Sequence, residues 1–205
     1  EKEGAPMPKP VERPPAPKDI KTVEELYLTG QRLDQFHNAA LEPYPYYEEA
    51  LKRDPYDSRV NTELGILYCK RGMFEEAEEK LKQAIKRVTK NYTSPKSGQA
   101  HYYLGLALKF QGKYDAAYDA LYKATWSYGF HTAGYYHLTE IDCLRGDFET
   151  ALKHINRSIA ANAWNTKALN LKSAVLRRLG RFKDAAQIAS NTLTFDTLDF
   201  WAGII

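Results

Sequence analysis

The stretch Gly72-Met73-Phe74-Glu75-Glu76-Ala77 introduces a pattern that returns at residues 112–117, 146–151 and 180–185. Each copy has a glycine, an aromatic residue two positions later and an alanine three positions after that. The four glycines are separated by 40, 34 and 34 residues. A period near 34 residues is typical of stacked helix-turn-helix units, in which neighbouring units bury each other's apolar faces. The pattern therefore predicts an all-α, right-handed solenoid of antiparallel helix pairs.

Each position of this pattern has a predicted role in packing the two helices of a unit. Glycine tolerates the left-handed backbone conformation that closes a helix at a tight corner. The aromatic residue is expected to staple the second helix onto the first, and the alanine to let the two helices approach closely. The first helix supplies a matching large and small pair, as in Leu64-Gly65 and Leu104-Gly105.

The chain divides into a proline-rich start and a helical array. Residues 1–19 hold six of the ten prolines and are predicted to be an extended linker, with a docking motif for a proline-recognition module as the alternative. Thr22 is the predicted N-cap of the first helix, and Glu25 completes its capping box. Predicted helix pairs cover residues 22–55, 58–97, 98–131, 132–165 and 166–197, and the start of a capping or further helix follows. Their helices are predicted at 22–38, 46–53, 58–71, 74–89, 98–111, 114–126, 132–145, 148–161, 166–179 and 182–194.

Two stretches interrupt the regular spacing. Pro43 and Pro45 are expected to break the first unit, which leaves a long loop and a short second helix. Six extra residues around 91–95 account for the 40-residue interval. Asn91-Tyr92-Thr93 among them fits a glycosylation acceptor pattern, which is expected to be a chance match because nothing else in the sequence indicates secretion.

Composition excludes several classes of protein. Hydrophobic residues at 43% and charged residues at 27% are typical of a globular chain rather than a disordered or membrane one. The net charge of +3 predicts no nucleic-acid footprint. Cys69 and Cys143 occupy equivalent positions two units apart, too distant for a disulfide, so free thiols and a reducing, cytoplasmic location are expected. Because the chain starts at Glu1 and stops at Ile205 as a helix begins, we expect a segment of a longer protein.

Taken together, these residues resemble the tetratricopeptide repeat family. In one unit the matching residues are Leu64-Gly65, Tyr68, Gly72, Phe74, Ala77, Leu81 and Ala84, and in the next they are Leu104-Gly105, Leu108, Gly112, Tyr114, Ala117, Leu121 and Ala124. The later units depart from the pattern at Leu138-Thr139 and Lys172-Ser173. The resemblance covers about residues 22–195. Residues 46–55 and 112–118 are also similar to the C-terminal repeat region of large bacterial proteins that carry an N-terminal domain of unknown function.

The resemblance implies a concave groove, lined by the first helix of each pair, that binds a peptide or protein segment. The outward positions on that side are Arg59, Thr62, Ile66, Lys70, Gln99, Tyr102, Leu106, Lys109, Tyr136, Glu140, Lys167, Asn170 and Arg177. Aromatic anchors among long polar side chains suit an extended peptide or a helix, unless Tyr102 and Tyr136 only pack on neighbouring helices. Some family members bind a C-terminal carboxylate through a Lys and an Asn one turn apart on the first helix, and this pair of residues is absent here.

Several further features are charged or aromatic. Asp142 and Lys172 occupy positions that the repeat reserves for apolar residues, and they are predicted to pair across the stack. Residues 126–131 are predicted to be a dense aromatic loop, with Trp164 in the next such loop; both are expected to plug joints between repeats or, alternatively, to stack on a sugar ring. A cluster of basic residues late in the chain is predicted to be a solvent-exposed face or, alternatively, an anion-binding site. Its residues are Lys167, Lys172, Arg177, Arg178, Arg181 and Lys183.

Neither catalytic residues nor a metal site nor a cofactor is predicted. The five histidines are scattered, and His137 with Glu140 on one helical face is too small a set of ligands. The chain is therefore predicted to be a non-catalytic scaffold for a protein or peptide partner, with neither nucleic acid nor membrane involved. One alternative is an accessory region of a carbohydrate-related bacterial protein, contacting glycan through Trp126, Tyr128 and Trp164. Another is weak self-association through the array ends, where apolar surface is expected at Phe195, Phe200, Trp201, Ile204 and Ile205.

Overall fold

The computed structural model shows a chain of helices stacked in sequence order. It describes residues 12–36, 40–91 and 95–204, and within these ranges there are eleven α-helices, a short 3-10 helix at Pro17–Asp19 and no β-strand. Part of the predicted linker, His37, Ile205, and Tyr92 and Thr93 of the glycosylation pattern lie outside the described residues.

Ten helices form five pairs, and a short helix follows them, so the predicted all-α stack of helix pairs is confirmed. The first two pairs are α1 (Val23–Gln35) with α2 (Tyr44–Arg53), and α3 (Ser58–Lys70) with α4 (Phe74–Val88). The next two are α5 (Gln99–Phe110) with α6 (Tyr114–Ala124), and α7 (Tyr128–Arg145) with α8 (Phe148–Ala161). The last pair is α9 (Thr166–Arg178) with α10 (Phe182–Phe195), and α11 (Phe200–Gly203) follows.

Two helices begin earlier than the sequence predicts. α2 begins at Tyr44, so Pro45 lies inside its first turn, where the N–H that proline lacks is not needed by the helix. α7 begins at Tyr128, so the predicted aromatic loop at residues 126–131 is wrong. His131 hydrogen-bonds through Nδ1 with the carbonyl of Thr125 at the end of α6, at 3.0 Å, which holds the first turn of α7 in place.

The corner glycines behave as predicted, whereas two of the motif aromatics make contacts that the sequence did not predict. Gly72, Gly112, Gly146 and Gly180 have φ between 73° and 76°, the left-handed conformation that closes each first helix. Phe74, by contrast, stacks on Phe110 of the next pair, with ring centroids 5.0 Å apart. Similarly, Arg178 of α9 lies 5.3 Å from the ring centroid of Phe148. Phe74 and Phe148 thus contact the first helix of the following pair, because each second helix also packs on the first helix of the next unit.

Close approach within a pair depends on the small residues. The alanines of the motif (Ala77, Ala117, Ala151 and Ala185) are at most 1% exposed. A Cβ atom on Gly65 would lie 2.6 Å from Leu81 Cγ, and one on Gly105 would lie 2.5 Å from Leu121 Cγ. Real Cβ atoms do not approach that closely, so these helix pairs need glycine there.

The described part of the proline-rich segment is attached to the array. Tyr46 donates its hydroxyl to the carbonyl of Pro15 at 3.1 Å. Arg53 donates to the carbonyls of Ile20 at 2.6 Å and Lys21 at 3.1 Å. Ile20 is only 3% exposed. Residues 15–21 therefore pack against α2 instead of forming a free extended tether.

Asp142 has a different partner from the predicted one. Its carboxylate lies 2.7 Å from Nδ1 of His154 on α8, and both side chains are buried. Lys172 has no ion pair within the described residues; burial lowers its pKa, and the charge of Arg181 lowers it further. The pairing of Asp142 with Lys172 is wrong because Asp142 faces the second helix of its own pair rather than α9.

Cys69 and Cys143 are both free thiols, as predicted. Each is half-buried rather than exposed. Burial raises the pKa of Cys69 to about 11, and burial also raises the pKa of Cys143. Burial thus favours the protonated form of both thiols, which is the less nucleophilic form.

Glu78 joins α4 to the corner between α5 and α6. Its carboxylate accepts hydrogen bonds from Gln111 at 2.9 Å and Lys113 at 2.8 Å, and also from Lys82 of its own helix. Burial alone raises the pKa of Glu78, but the hydrogen bonds from Lys113, Lys82 and Gln111 outweigh it and lower the pKa to about 2. The ionised carboxylate thus stabilises the contact between two repeats.

Replacing Glu78 by Gln is expected to cost about 1 kcal/mol of unfolding free energy at neutral pH, after allowance for solvent screening. Because the folded pKa is depressed, this stabilisation is present above the usual carboxylate pKa of 4.5 and disappears as the pH falls toward about 2. Urea titrations of both proteins at several pH values measure the difference. Glu79→Gln, an exposed neighbour paired only with Lys80, is the control and should show little difference at any pH.

Candidate functional site

From α1 to α7, the first helices of neighbouring pairs lie closer together than the second helices do. α1 contacts α3, α3 contacts α5 and α5 contacts α7, whereas the matching second helices make fewer contacts across the stack. A stack that is tighter along its first helices bends toward them, so these helices line its concave side. We call this surface, formed by α1, α3, α5, α7 and α9, the groove.

At the α3 part of the groove, the predicted residues are less accessible than expected. Thr62 is 9% exposed and Ile66 is 5% exposed, so both contribute little surface. The hydroxyl of Thr62 donates to the carbonyl of Ser58 at 2.7 Å. Arg59 and Lys70 are exposed, at the two ends of the helix.

Both of these cations are paired with acidic residues. Arg59 lies 2.6 Å from Glu24 of α1 and 3.1 Å from Asp57. Lys70 lies 2.9 Å from Asp34 of α1. The groove therefore includes α1, whose residues were not predicted to line it because the first unit is irregular. One sequence feature could have identified α1 as a first helix: Gly30 precedes Gly65 by about one repeat length. In the structure, a Cβ on Gly30 would lie 2.6 Å from the ring of Tyr47, so Gly30 also allows a close approach of two helices.

The start of the groove contains a cavity of about 600 Å³. It lies between α1, α3 and α5, and residues 95–97, next to the insertion that lengthens one repeat, form part of its wall. Gln99, a predicted groove residue, is half-buried in this wall. Glu63 also lines the cavity; it was missed because it follows the predicted position Thr62 by one residue.

A charged network occupies the centre of the groove. Lys109 of α5 lies 2.5 Å from the Glu140 carboxylate of α7, and Nδ1 of His137 lies 2.5 Å from the same oxygen. Burial raises the pKa of Glu140, but the hydrogen bonds from His137 and Lys109 outweigh it and lower the pKa overall. The network is compact and satisfied, so it orders this part of the surface.

Aromatic rings surround this network. Tyr102 has its ring centroid 5.2 Å from that of Phe130 and 5.9 Å from that of His137. Tyr136 contacts His137 edge-on at 5.3 Å, and Leu106 is half-buried nearby in sequence on α5. Burial raises the pKa of Tyr102 to about 12. We call Tyr102, Phe130, Tyr136 and His137 the aromatic cluster; Phe130 was missed because it was assigned to a loop.

The last part of the groove is partly occupied by the chain itself. Asn170 donates to both carboxylate oxygens of Asp199, at 2.8 and 3.0 Å. Asp199 is also the N-cap of α11 and accepts from the amide of Ala202. Lys167 and Arg177 are exposed and have no ion pair within the described residues. Asn170 therefore holds α11 rather than facing an open surface.

The late cations do not form one site. Arg178 lies over the ring of Phe148, Arg181 pairs with Asp184 at 2.7 Å, and Lys172 is half-buried. The predicted sugar-stacking side chains are all exposed: Trp126 by 62%, Tyr128 by 84% and Trp164 by 72%. They do not plug the joints between repeats, and Trp164 makes an edge contact with Phe195 at 4.9 Å. At the C-terminal end, the exposed apolar side chains include Leu198, Phe200, Trp201 and Ile204.

The described residues contain neither a cluster of metal ligands nor a membrane-spanning helix. Within residues 12–36, 40–91 and 95–204, no three His, Cys, Asp or Glu side chains are placed to hold a metal ion. No helix within the same ranges has both the length and the apolar character needed to cross a bilayer.

Comparison with known proteins agrees with the geometry of the helix pairs. Residues 56–125 match the family model described as "Tetratricopeptide repeat". These residues include α3 to α6, the two pairs with the most regular motif. Over residues 56–125 the sequence therefore matches the tetratricopeptide repeat, and the array has the fold of tetratricopeptide repeat proteins.

Solved structures share the fold over most of the chain. MamA is similar with a TM-score of 0.71 and 22% identity, over 82% of this chain and 94% of MamA. YrrB, described as "a TPR protein with an unusual peptide-binding site", is similar with a TM-score of 0.70 and 15% identity, over 86% of this chain and 88% of YrrB. The pilF protein of Pseudomonas aeruginosa is similar with a TM-score of 0.71 and 16% identity, over 84% of this chain and 75% of that protein.

Proposed function

We propose that this chain is a non-catalytic scaffold that binds an extended peptide or protein segment in the groove. The aromatic cluster at the centre of the groove is the observation that carries the proposal. Tyrosine rings that are half-buried, rigidly packed and next to a satisfied charge network resemble the anchors that dominate peptide affinity. The peptide-binding site named for YrrB, which has the same fold, supports this use of the array.

The groove favours a peptide over glycan or self-association. Its rings lie together on adjacent first helices, whereas Trp126 and Trp164 are separated by a whole repeat and lie outside the groove. The exposed apolar side chains at the C-terminal end lie on α11 and beside it, away from the aromatic cluster. Sedimentation velocity over a range of concentrations accompanies each binding measurement, so that self-association is not mistaken for peptide binding.

Peptides selected from a random library of about twelve residues, long enough to lie across several repeats, test the proposal. The Tyr102→Ala/Tyr136→Ala variant is expected to bind the selected peptides about tenfold or more weakly, because each aromatic anchor contributes more than about 1 kcal/mol. Fluorescence polarisation with labelled peptides measures the affinity. Tyr114→Ala/Tyr122→Ala removes two tyrosines of the second helix α6, each 40% exposed, and should leave affinity unchanged. Equal affinity of all three proteins contradicts binding at the aromatic cluster of the groove.

A further inference from the structure

Glu63 is a half-buried carboxylate without a direct partner. Among the residues that the structure describes, it forms no hydrogen bond and lies within 4 Å of no cationic group. Three other acidic side chains of α1 and α7 are paired: Glu24 with Arg59, Asp34 with Lys70, and Glu140 with Lys109. A carboxylate that loses part of its hydration without gaining a partner is costly, so Glu63 calls for an explanation.

The nearby cations are committed to other groups. The guanidinium of Arg59 contacts Glu24 and Asp57 and lies 4.8 Å from the ring centroid of Tyr27. Lys70 donates to both carboxylate oxygens of Asp34, at 3.1 and 2.9 Å. Lys96 lines the same cavity, but it is exposed on the connection before α5 and stays in contact with water. The fold therefore leaves one negative charge facing the cavity.

The surroundings of Glu63 strengthen the electrostatic effect of its carboxylate on neighbouring groups. Burial raises the pKa of Glu63 and the neighbouring charge of Asp34 raises it further, while the charge of Lys70 has a smaller, opposing effect. The charge of Glu63 in turn raises the pKa of Tyr27 and of Tyr103, after the larger effect of burial. An incoming cation would relieve this cost, and in a partly dehydrated site the attraction is stronger than in water.

The shape of the cavity fits a long side chain with a charged end. Its walls include Val88, Pro95, Ala100 and the ring of Tyr27, which supply apolar surface. The methylene stem of lysine or arginine packs on such surface while its charged head reaches a carboxylate. The volume of about 600 Å³ leaves room for the side chain together with the water that surrounds it.

We infer that the cavity beside Glu63 receives a lysine or arginine side chain of the segment bound in the groove. This inference rests on the proposed function and gives it a chemical preference. Glu63 accepts the hydrogen bonds of the basic side chain, and the aromatic cluster, one repeat further along, holds apolar or aromatic side chains of the same segment. The connection before α5 belongs to the lengthened repeat, so the cavity is a feature of this chain and not of a regular repeat.

The experiment uses the peptides selected on the wild-type protein and versions in which each basic residue is replaced by norleucine, a neutral side chain of similar length. We expect a lysine or arginine at one shared position among the selected peptides. Glu63→Gln, which keeps the shape of the side chain, should weaken binding of the basic peptide about tenfold, the value of one charge-assisted hydrogen bond. The norleucine peptide should bind both proteins equally. Glu75→Gln, an exposed change on α4, is the matched control and should bind like the wild type.

The outcomes separate this inference from the proposed function. If Glu63→Gln weakens the basic and norleucine peptides equally, or if the selected peptides have no shared basic residue, the inference is overturned while groove binding stands. If Glu63→Gln has the expected effect but the Tyr102→Ala/Tyr136→Ala variant has none, the cavity stands and binding at the aromatic cluster is rejected. Failure to select any peptide contradicts both. The melting temperature of Glu63→Gln should match or exceed that of the wild type, because the change removes a half-buried charge that has no direct partner among the described residues.

Discussion

Asp142→Ala is expected to lower the unfolding free energy by about 2–4 kcal/mol, the usual cost of breaking a buried hydrogen-bonded pair and opening a small cavity. Asp142 is 2% exposed, and its carboxylate lies 2.7 Å from Nδ1 of His154, which is 8% exposed. Alanine would leave the imidazole N–H buried without an acceptor and would add a small cavity between α7 and α8. Urea unfolding followed by circular dichroism measures the change.

The surroundings of Asp142 and His154 make it difficult for water to replace the lost carboxylate. The ring of His154 lies 5.4 Å from that of Tyr135 and 6.1 Å from that of Tyr118, measured between centroids. Arg145 covers the outer face of Tyr118, at 4.7 Å from its centroid. Because aromatic side chains close the site on these sides, the lost hydrogen bond is not readily replaced by solvent.

A double-mutant cycle identifies the true partner of Asp142. Asp142→Leu and His154→Leu together should cost far less than the sum of the two single changes, because an apolar pair leaves no buried group unsatisfied. Lys172→Met is the control: it is expected to be neutral or slightly stabilising, since burial and Arg181 both disfavour its charge. Additive effects of the changes at Asp142 and His154 would reject the pair as a coupled unit.

Gly105→Ala is expected to destabilise the protein by about 2–3 kcal/mol, the cost of forcing extra atoms into a packed interior. The new Cβ would lie 2.5 Å from Cγ and 3.2 Å from the backbone N of Leu121, which is fully buried. The backbone of α6 would have to move away from α5, because rotation of the leucine side chain relieves only one of these contacts. Differential scanning calorimetry is expected to show a lower melting temperature.

A matched glycine shows whether the effect comes from crowding. Gly129→Ala changes a helical glycine in the first turn of α7 with no atom within 4 Å of the new Cβ. This change is expected to be neutral or to stabilise by up to about 1 kcal/mol, since alanine is the better helix former. In the Gly105→Ala/Leu121→Ala double variant, part of the cost should be recovered relative to the sum. Equal destabilisation by both alanines would show that helix propensity, not crowding, governs the position.

The later units show how the same corner accommodates side chains. Thr139 and Ser173 occupy the position of Gly105 in their units, and both are fully buried. Thr139 donates to the carbonyl of Tyr135 at 2.8 Å, and Ser173 donates to the carbonyl of Ala185 at 2.7 Å. The departure from the family pattern is thus compensated by hydrogen bonds within each pair, which the sequence alone did not reveal.

The candidate groove was predictable only in part. Counting from each corner glycine placed Tyr102, Lys109, Tyr136 and Glu140 on one surface, because side chains on a helix repeat with a regular angular step. The same count could not show that Thr62 and Ile66 are buried, or that the side chain of Asn170 is hydrogen-bonded to Asp199. Those facts depend on how far neighbouring helices stand apart and on where α11 folds back.

The repeated glycine, aromatic and alanine pattern was sufficient to predict helix pairs, their corners and their close contacts, since each depends on backbone conformation or on residues within one unit. The ion pairs, by contrast, could not be predicted from this pattern. The partners Lys70 and Asp34, or Lys109 and Glu140, are 36 and 31 residues apart, and their separation in space depends on how the units stack. The stacking of the units decided which of these charges form ion pairs, because an ion pair requires a short distance that sequence periodicity does not specify. The same stacking left Glu63 facing a cavity without a partner among the described residues.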